Sequence, residues 1–161
     1  MFTRLQRLVC TICLGMLLFL SMPIPAWANA YDKQTLIAAD FAGKDLRGSQ
    51  FNQSNMRNST FKGANLQGVS FFGTNLTNVD MTGADLTGAA IDNARFSKTN
   101  LTNAILVGAF ATSTKFNGAI IEGADFTDVL FRKDVQKILC ATASGTNPTT
   151  GRKTRETLDC P

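Results

Sequence analysis

A large apolar residue recurs at every fifth position over more than half of this chain. The phase runs through residues 39–133 as 19 consecutive five-residue units without an insertion. An amphipathic helix repeats near 3.6 residues and a half-buried strand at about 2, so neither element explains the spacing. Eight of the 12 Phe residues occupy these positions, and only Ala111 among them is small. The backbone must therefore turn one large side chain inward per unit. The repeated positions, called unit centres below, are Phe41, Leu46, Phe51, Met56, Phe61, Leu66, Phe71, Leu76, Met81, Leu86, Ile91, Phe96, Leu101, Leu106, Ala111, Phe116, Ile121, Phe126 and Phe131.

The other positions of each unit are biased as well. Two positions before the centre, Ala is the commonest residue. All the remaining units have Ser, Thr or Val there, apart from the one with Lys44, so this position is inward and cramped. Two positions after the centre, most units have Gly or Asn, which tolerate a left-handed backbone best. The neighbours of the centre are mostly polar. The fixed short period predicts a solenoid in which each unit buries its apolar face against its neighbours.

Several stretches match the A-(D/N)-L-x-x pattern of the pentapeptide-repeat family. They are GANLQG (63–68), TNLTN (74–78), GADLTG (83–88) and GADFTD (123–128), and the resemblance covers 95 of 161 residues. It implies an all-β solenoid, a right-handed quadrilateral β-helix with four units in each coil. Dividing 95 by 20 gives 4.75 coils, or about five. The open ends of such a prism need caps.

Residues 1–30 have the features of a secretory signal peptide. Arg4 and Arg7 precede an apolar run over residues 8–20, and small residues follow up to Ala28 and Ala30. This run is shorter than the roughly 20 apolar residues that a membrane span needs. We expect cleavage after Ala30, with Ala28 the next candidate and an uncleaved anchor the alternative. The mature protein should then work outside the cytosol, without a stable membrane span.

Short helices are expected at both ends of the repeats. Residues 31–38 (YDKQTLIA) predict a helix with Asp32 as N-cap that covers the first coil. The five-residue phase stops after Phe131, and a helical pattern, a turn-rich loop and a second short helix follow. The expected organisation is a signal peptide (1–30), an N-terminal helical cap (31–38), the repeats (39–133) and a C-terminal helical cap (134–161).

Cys140 and Cys160 are the two cysteines of the expected mature chain, one in each predicted C-terminal helix. An exported compartment permits a disulfide, which would tie the two helices together and contribute about 3 kcal/mol in the chain-entropy account. Two free thiols or a metal site are the alternatives. Because the chain has no His, a metal would have only two soft ligands.

The segment LCATASGTNPTTGRKTRETLDC resembles the C-terminal tail of thylakoid-lumen members of the family from cyanobacteria and plastids. In that group an N-terminal helix and a disulfide-linked helical tail cap the prism, and Cys140 and Cys160 match the tail's two cysteines. The resemblance implies a lumenal location. The signal peptide by itself fits the periplasm equally well.

No catalytic constellation is present in the sequence. There is no His to act as a general base, and no glycine motif for phosphate binding. We therefore expect no enzyme activity, cofactor, metal or small-molecule substrate. Removing Arg4 and Arg7 leaves 14 basic and 12 acidic residues, a net charge of +2, which is too small to indicate nucleic acid.

Every fourth unit stacks on the same face of the expected prism. The face that contains the centres Met56, Leu76, Phe96 and Phe116 has no acidic residue and carries Arg57, Arg95, Lys98 and Lys115. The opposite face carries Asp45, Asp85, Asp125 and Asp128 against only Lys44 and Arg47. The basic side is a candidate docking surface for an acidic partner, with ordinary solvated charges as the alternative.

Outward positions are unusually apolar near the C-terminal end of the repeats, at Ile105, Val107, Phe110 and Leu130. Exposed apolar patches need a cover. We expect the C-terminal helix of this chain to cover them, with a partner protein as the alternative.

These features favour a non-catalytic exported protein that is a structural or protein-binding module of the thylakoid lumen. Its expected partner is a protein such as a component of the photosynthetic apparatus. The alternative is a redox-responsive lumenal regulator that acts through the Cys140–Cys160 disulfide. The DNA-mimic, gyrase-protecting branch of the family relies on a strongly acidic rod, so the net charge and the signal peptide disfavour that function.

Overall fold

A computed structural model describes residues 29–161 as stacked coils followed by a short helical tail. Nearly all of the predicted signal peptide, residues 1–28, lies outside the described residues. The coils are joined by isolated parallel bridges, from Ala30↔Gln50 to Phe110↔Leu130. Each of these bridges spans the same sequence distance, so four five-residue units separate a residue from the one stacked on it. Within residues 29–161, no helix has the length and apolar character needed to cross a membrane.

Hydrogen bonds between coils pair three backbone groups of a typical unit. In the unit centred on Phe96, the Phe96 N–H donates to the carbonyl of Lys115 at 2.7 Å, and the Lys98 N–H donates to the carbonyl of Asn117 at 2.9 Å. The Lys115 N–H donates back to the carbonyl of Ala94 at 3.0 Å. Because peptide groups must be paired when they leave water, each coil serves as the template for the next.

The unit centres fill the axis of the solenoid. All the centres predicted from the sequence are buried except Phe131, which is half-buried. Phe rings on successive coils stack, with ring centroids 4.9 Å apart for Phe41 and Phe61. The small residues before the centres are mostly inside as well, and the Thr74 hydroxyl donates to the carbonyl of Phe51 at 2.6 Å. The core is therefore tightly packed, and this buried hydroxyl has a partner.

The chain turns two positions after each centre. From Lys33 to Asp128 the residue at this position has φ between 56° and 69°, with Ser113 as the one exception. This left-handed conformation is costly for most residues with a Cβ atom. Gly has none, and the short polar side chain of Asn can form local hydrogen bonds, which explains the excess of both.

The predicted N-terminal helix over residues 31–38 is wrong. These residues form two further units, in which Tyr31 and Leu36 take the centre positions and Thr35 bridges to Asn55. The Tyr31 ring stacks on Phe51 at 4.6 Å, and the Asp32 carboxylate accepts the N–H of Asn52 instead of capping a helix. Packing on the second coil overrides the local helix propensity of so short a segment.

Two short helices follow the last coil. Helix α1 is Lys133–Cys140 and helix α2 is Thr154–Thr157. The predicted disulfide joins Cys140 at the end of α1 to Cys160, with the Cα atoms 5.6 Å apart. Leu139 and Leu158 extend the buried core into this region. Residues 141–161, called the tail below, thus return to the end of the solenoid.

Candidate functional site

The structure fastens the tail to the last coil through a buried Asn147. Its amide nitrogen donates to the carbonyls of Asn103, Ala104 and Gly123 at 2.9–3.3 Å. Its amide oxygen accepts the N–H groups of Thr149 and Thr150 at 2.9 and 3.0 Å. In the sequence, Asn147 before a proline indicates only a turn. Its role as an anchor depends on carbonyls that are distant in the chain.

The tail covers only part of the coil edge. The carbonyl of Ser144 accepts the Gly123 N–H at 2.8 Å, and the Thr157 hydroxyl accepts the Phe126 N–H at 3.1 Å. A Cβ atom on Gly145 would lie 2.8 Å from the nitrogen of Gly123, so glycine is needed where the two backbones meet. The tail therefore contacts the outer edges of the units centred on Ile121 and Phe126.

The expected cover over the apolar patch is not formed by residues 29–161. Phe110 is 57% exposed and Leu130 is 74% exposed, while Ile105 and Val107 are half-buried. The prediction that the C-terminal helix covers Phe110 and Leu130 is wrong, because the tail's hydrogen bonds seat it on the end of the solenoid and not along this side.

Asp125 is a second attachment point for the tail. This buried carboxylate accepts the hydroxyl and the N–H of Thr127 at 2.6 and 2.9 Å, and Arg152 of the tail lies 3.3 Å away. Burial raises the pKa of Asp125, but bonds from Thr127 and Thr150 and the charge of Arg152 outweigh it, so the net pKa is lowered. The carboxylate is thus held ionised beside the guanidinium.

We expect this attachment to be insensitive to pH until strongly acidic conditions are reached. Because the folded pKa of Asp125 is lowered, its stabilisation is fully present above the ordinary pKa of about 3.9 and is lost as pH falls through the folded value. Amide NMR shifts of the tail should therefore stay constant from about pH 8 to pH 5 and change below about pH 4. Asp125→Asn should remove this transition. A tail transition between pH 5 and 8 would contradict the assignment.

The predicted basic residues are brought together on one face. The bridges Asn75↔Arg95 and Arg95↔Lys115 stack them on successive coils, with Arg57 and Lys98 at neighbouring positions of the same stacked units. Arg57, Arg95, Lys98 and Lys115, called the basic face below, are all exposed. None of them takes part in the four ion pairs that the described residues form. Their charge is therefore available to a partner.

Most acidic residues on the opposite face are bonded to other residues of this chain. Arg47 binds Asp45 at 2.7 Å and lowers its pKa through hydrogen bonds. Burial raises the pKa of Asp85, but bonds from Thr87 and Gln67 reverse the shift, so it too is lowered. With Asp125 held by the tail, three of the four predicted acidic residues already have partners in this chain. The fourth, Asp128, is exposed and lies in a turn. The basic face is thus the stronger candidate for binding.

Comparison with known proteins identifies relatives of this fold. The model of the family described as pentapeptide repeats matches eight copies, over residues 35–68, 64–103 and 94–132. The chain is 54% identical over 48 residues to thylakoid lumenal 15 kDa protein 1, chloroplastic, of Arabidopsis thaliana, covering 30% of this chain and 21% of the relative. It is 51% identical over 43 residues to thylakoid lumenal protein TL20.3, chloroplastic, of the same plant, covering 27% and 15%. The matched segments thus span about a fifth or less of these two relatives.

A crystal structure gives a longer match. A pentapeptide repeat protein from the Arabidopsis thaliana thylakoid lumen superimposes with a TM-score of 0.80 and 47% identity. The match covers 81% of this chain and 90% of that chain. Because 81% of the chain is more than the repeats occupy, the similarity reaches beyond the repeats.

Proposed function

This chain belongs to the pentapeptide-repeat family, and we propose that it is a non-catalytic protein-binding module of the thylakoid lumen that docks an acidic protein on its basic face. The fold is a right-handed β-helix solenoid, as in its structural relatives. The constant spacing of the bridges supports a quadrilateral cross-section of about five coils. We propose the tail and α1 as the C-terminal cap.

The location is supported by the relatives. Two relatives are thylakoid lumenal proteins, and the protein in the similar crystal structure is also from the thylakoid lumen. The match to that crystal structure covers most of this chain and most of the other. Export through the predicted signal peptide would bring this chain to the same compartment. A disulfide is compatible with a compartment outside the cytosol.

The observation that carries the binding role is the arrangement of Arg57, Arg95, Lys98 and Lys115. Backbone hydrogen bonds hold the coils that bear them in a rigid stack, and no acidic residue shares their face. A rigid surface of one charge loses little conformational entropy on binding, and it attracts a partner of opposite charge from a distance. We propose that the partner is an acidic lumenal protein such as a component of the photosynthetic apparatus. The absence of His from the chain supports a role without acid–base catalysis.

The double substitution Arg57→Glu/Arg95→Glu is expected to abolish partner capture. It reverses two charges on the basic face and leaves the core untouched, because both side chains are exposed. The measurement is affinity purification of tagged protein from the lumenal fraction of the native host, with mass spectrometry of the retained proteins. Capture by the unaltered protein should also decline as salt rises from about 0.05 to 0.5 M, because salt screens exposed charges.

The matched control is Lys62→Glu/Lys137→Glu. It changes the net charge by the same amount, at exposed residues outside the basic face. Acidic proteins that the unaltered protein and this control retain, and that the basic-face variant loses, would support the proposal. Equal retention by both double variants would overturn it.

A further inference from the structure

We propose that the uncapped edge of the unit centred on Phe116, together with helix α1, forms a groove that binds an extended acidic segment of a partner protein as an added β-strand. This inference deepens the proposed function, because the groove lies at the C-terminal end of the basic face. The partner would bind in an extended conformation, and its backbone would form hydrogen bonds with this edge.

Three backbone groups on this edge have no partner among residues 29–161. They are the N–H groups of Phe116 and Gly118 and the carbonyl of Thr114. The equivalent groups one coil earlier, on Phe96, Lys98 and Ala94, all pair with residues 115–117. The chain would have to add one more unit to continue this ladder, but it turns into α1 instead. The edge is therefore a template for one further strand.

The space beside this edge is a groove and not a closed contact. It has a volume of about 580 Å³ and lies between α1 and residues 112–117. Phe116, Val135 and Ile138 are its large apolar lining residues, and its charged lining residues are Lys115, Arg132 and Asp134. Ile138 is 54% exposed, so α1 leaves the groove open. An extended peptide needs both parts, a free backbone edge and pockets for alternate side chains.

The neighbouring edges show why this one is available. The tail accepts one N–H group from each of the units centred on Ile121 and Phe126, those of Gly123 and Phe126, whereas it accepts none from the unit centred on Phe116. The turn at Ser113, beside the groove, is also the one turn between Lys33 and Asp128 without positive φ. The last coil thus departs from the regular repeat where the groove lies.

The charges at the groove favour an acidic ligand. Arg132 is paired with Asp134 at 3.2 Å, but Lys115 has no ion pair within the described part of the chain and stacks directly on Arg95. A residue of an added strand would occupy the next position in this column, directly beside Lys115. Opposite charges at adjacent cross-strand positions attract each other, so Asp or Glu is preferred there.

The test uses a fluorescein-labelled peptide in which Glu and Val alternate four times. Binding to the exported, processed protein is measured by fluorescence anisotropy, and protection of individual amides by NMR hydrogen exchange. We expect the peptide to slow exchange of the Phe116 and Gly118 N–H groups by about tenfold or more. A peptide with Pro in place of each Val keeps the charge but cannot pair as a strand, and should give no such protection.

Ile138→Trp is expected to weaken peptide binding by about tenfold, because the larger side chain fills the groove. Ile120→Trp is the matched control, since Ile120 is also 54% exposed but lies outside the groove, and its effect should stay within about twofold. Lys115→Glu should weaken binding up to about fivefold. Equal effects of the two Trp variants would contradict a site in the groove.

The outcomes for the groove and for the proposed function can be separated. If the Arg57→Glu/Arg95→Glu variant loses partner capture but no peptide protects Phe116 and Gly118, the strand site is wrong and the basic face stands. If the peptide protects these amides while that variant captures the same proteins, the groove stands and the basic face is wrong. Amides that are already protected without peptide, and that lose protection on dilution, would assign the edge to a second copy of this chain and overturn the proposal.

Discussion

Phe71→Asp is expected to abolish the cooperative thermal transition of the solenoid. The side chain of Phe71 is fully buried, and its ring stacks on Phe51 at 5.1 Å and meets Phe61 at 5.6 Å. Removing a buried Phe side chain costs about 3–5 kcal/mol, and an unpaired carboxylate in a dry core adds a further penalty. The sum approaches the whole free energy of unfolding of a typical domain, which is about 5–15 kcal/mol. Circular dichroism melts would measure the loss.

The neighbouring residue supplies the matched control. Phe72 is 44% exposed, so its side chain points outward. Only its backbone takes part in the stacking of the coils, through the carbonyl that accepts the Gln53 N–H. Phe72→Asp therefore makes the same chemical change one position away and should move the melting temperature by only a few degrees. If the two variants melt alike, the inward position of the unit centres is wrong.

Asn147→Ala is expected to release the tail while the coils remain folded. The substitution removes five hydrogen bonds, and a tail that stayed in place would bury the carbonyls of Asn103 and Gly123 without a partner. Each unsatisfied buried group costs about 1–3 kcal/mol, more than the local contacts of so short a segment can offset. Hydrogen exchange should rise in residues 141–161 and at Gly123, and should be unchanged over residues 41–86, because a solenoid is stabilised between neighbouring coils.

The same measurement tests the redox alternative. Reduction of the Cys140–Cys160 disulfide alone should leave the tail in place, since Asn147, the Asp125–Arg152 pair and the Thr157 bond to Phe126 do not depend on it. Reduction of the Asn147→Ala variant should then break the covalent link that still holds the released tail to α1. Thr149→Ala, at an exposed neighbour of Asn147, is the control and should behave as the unaltered protein. Release of the tail by reduction of the unaltered protein would favour the redox-responsive regulator.

The repeat region was open to prediction because its information is local and repeated. Each unit has the same neighbours, one coil before and one coil after, so one rule places every centre from Phe41 to Phe126 in the core. The turns follow from Gly and Asn for the same reason. The basic face followed once the resemblance to the family supplied four units per coil, because a constant coil length converts sequence spacing into stacking.

The ends were less predictable because their contacts occur once. Residues 31–38 have a plausible helical pattern, but the second coil offers them bridges and an aromatic partner, so they continue the solenoid. The sequence around Phe110 and Leu130 gave no sign that residues 29–161 would leave both side chains exposed.

The sequence by itself determined the solenoid and its inward residues, because the five-residue period turns one large side chain inward in every unit. The charged faces followed only with the four units per coil that the resemblance to the family implies, and the two cysteines that pair could be named from the sequence. Only the tertiary structure decided where the tail lies. Asn147 meets the carbonyls of Asn103 and Gly123, which are remote in the chain, and Gly145 meets the backbone of Gly123. These single contacts have no period, and they leave the edge at Phe116 and Gly118 uncovered. The candidate groove is thus a consequence of an asymmetric cap, which no local pattern encodes.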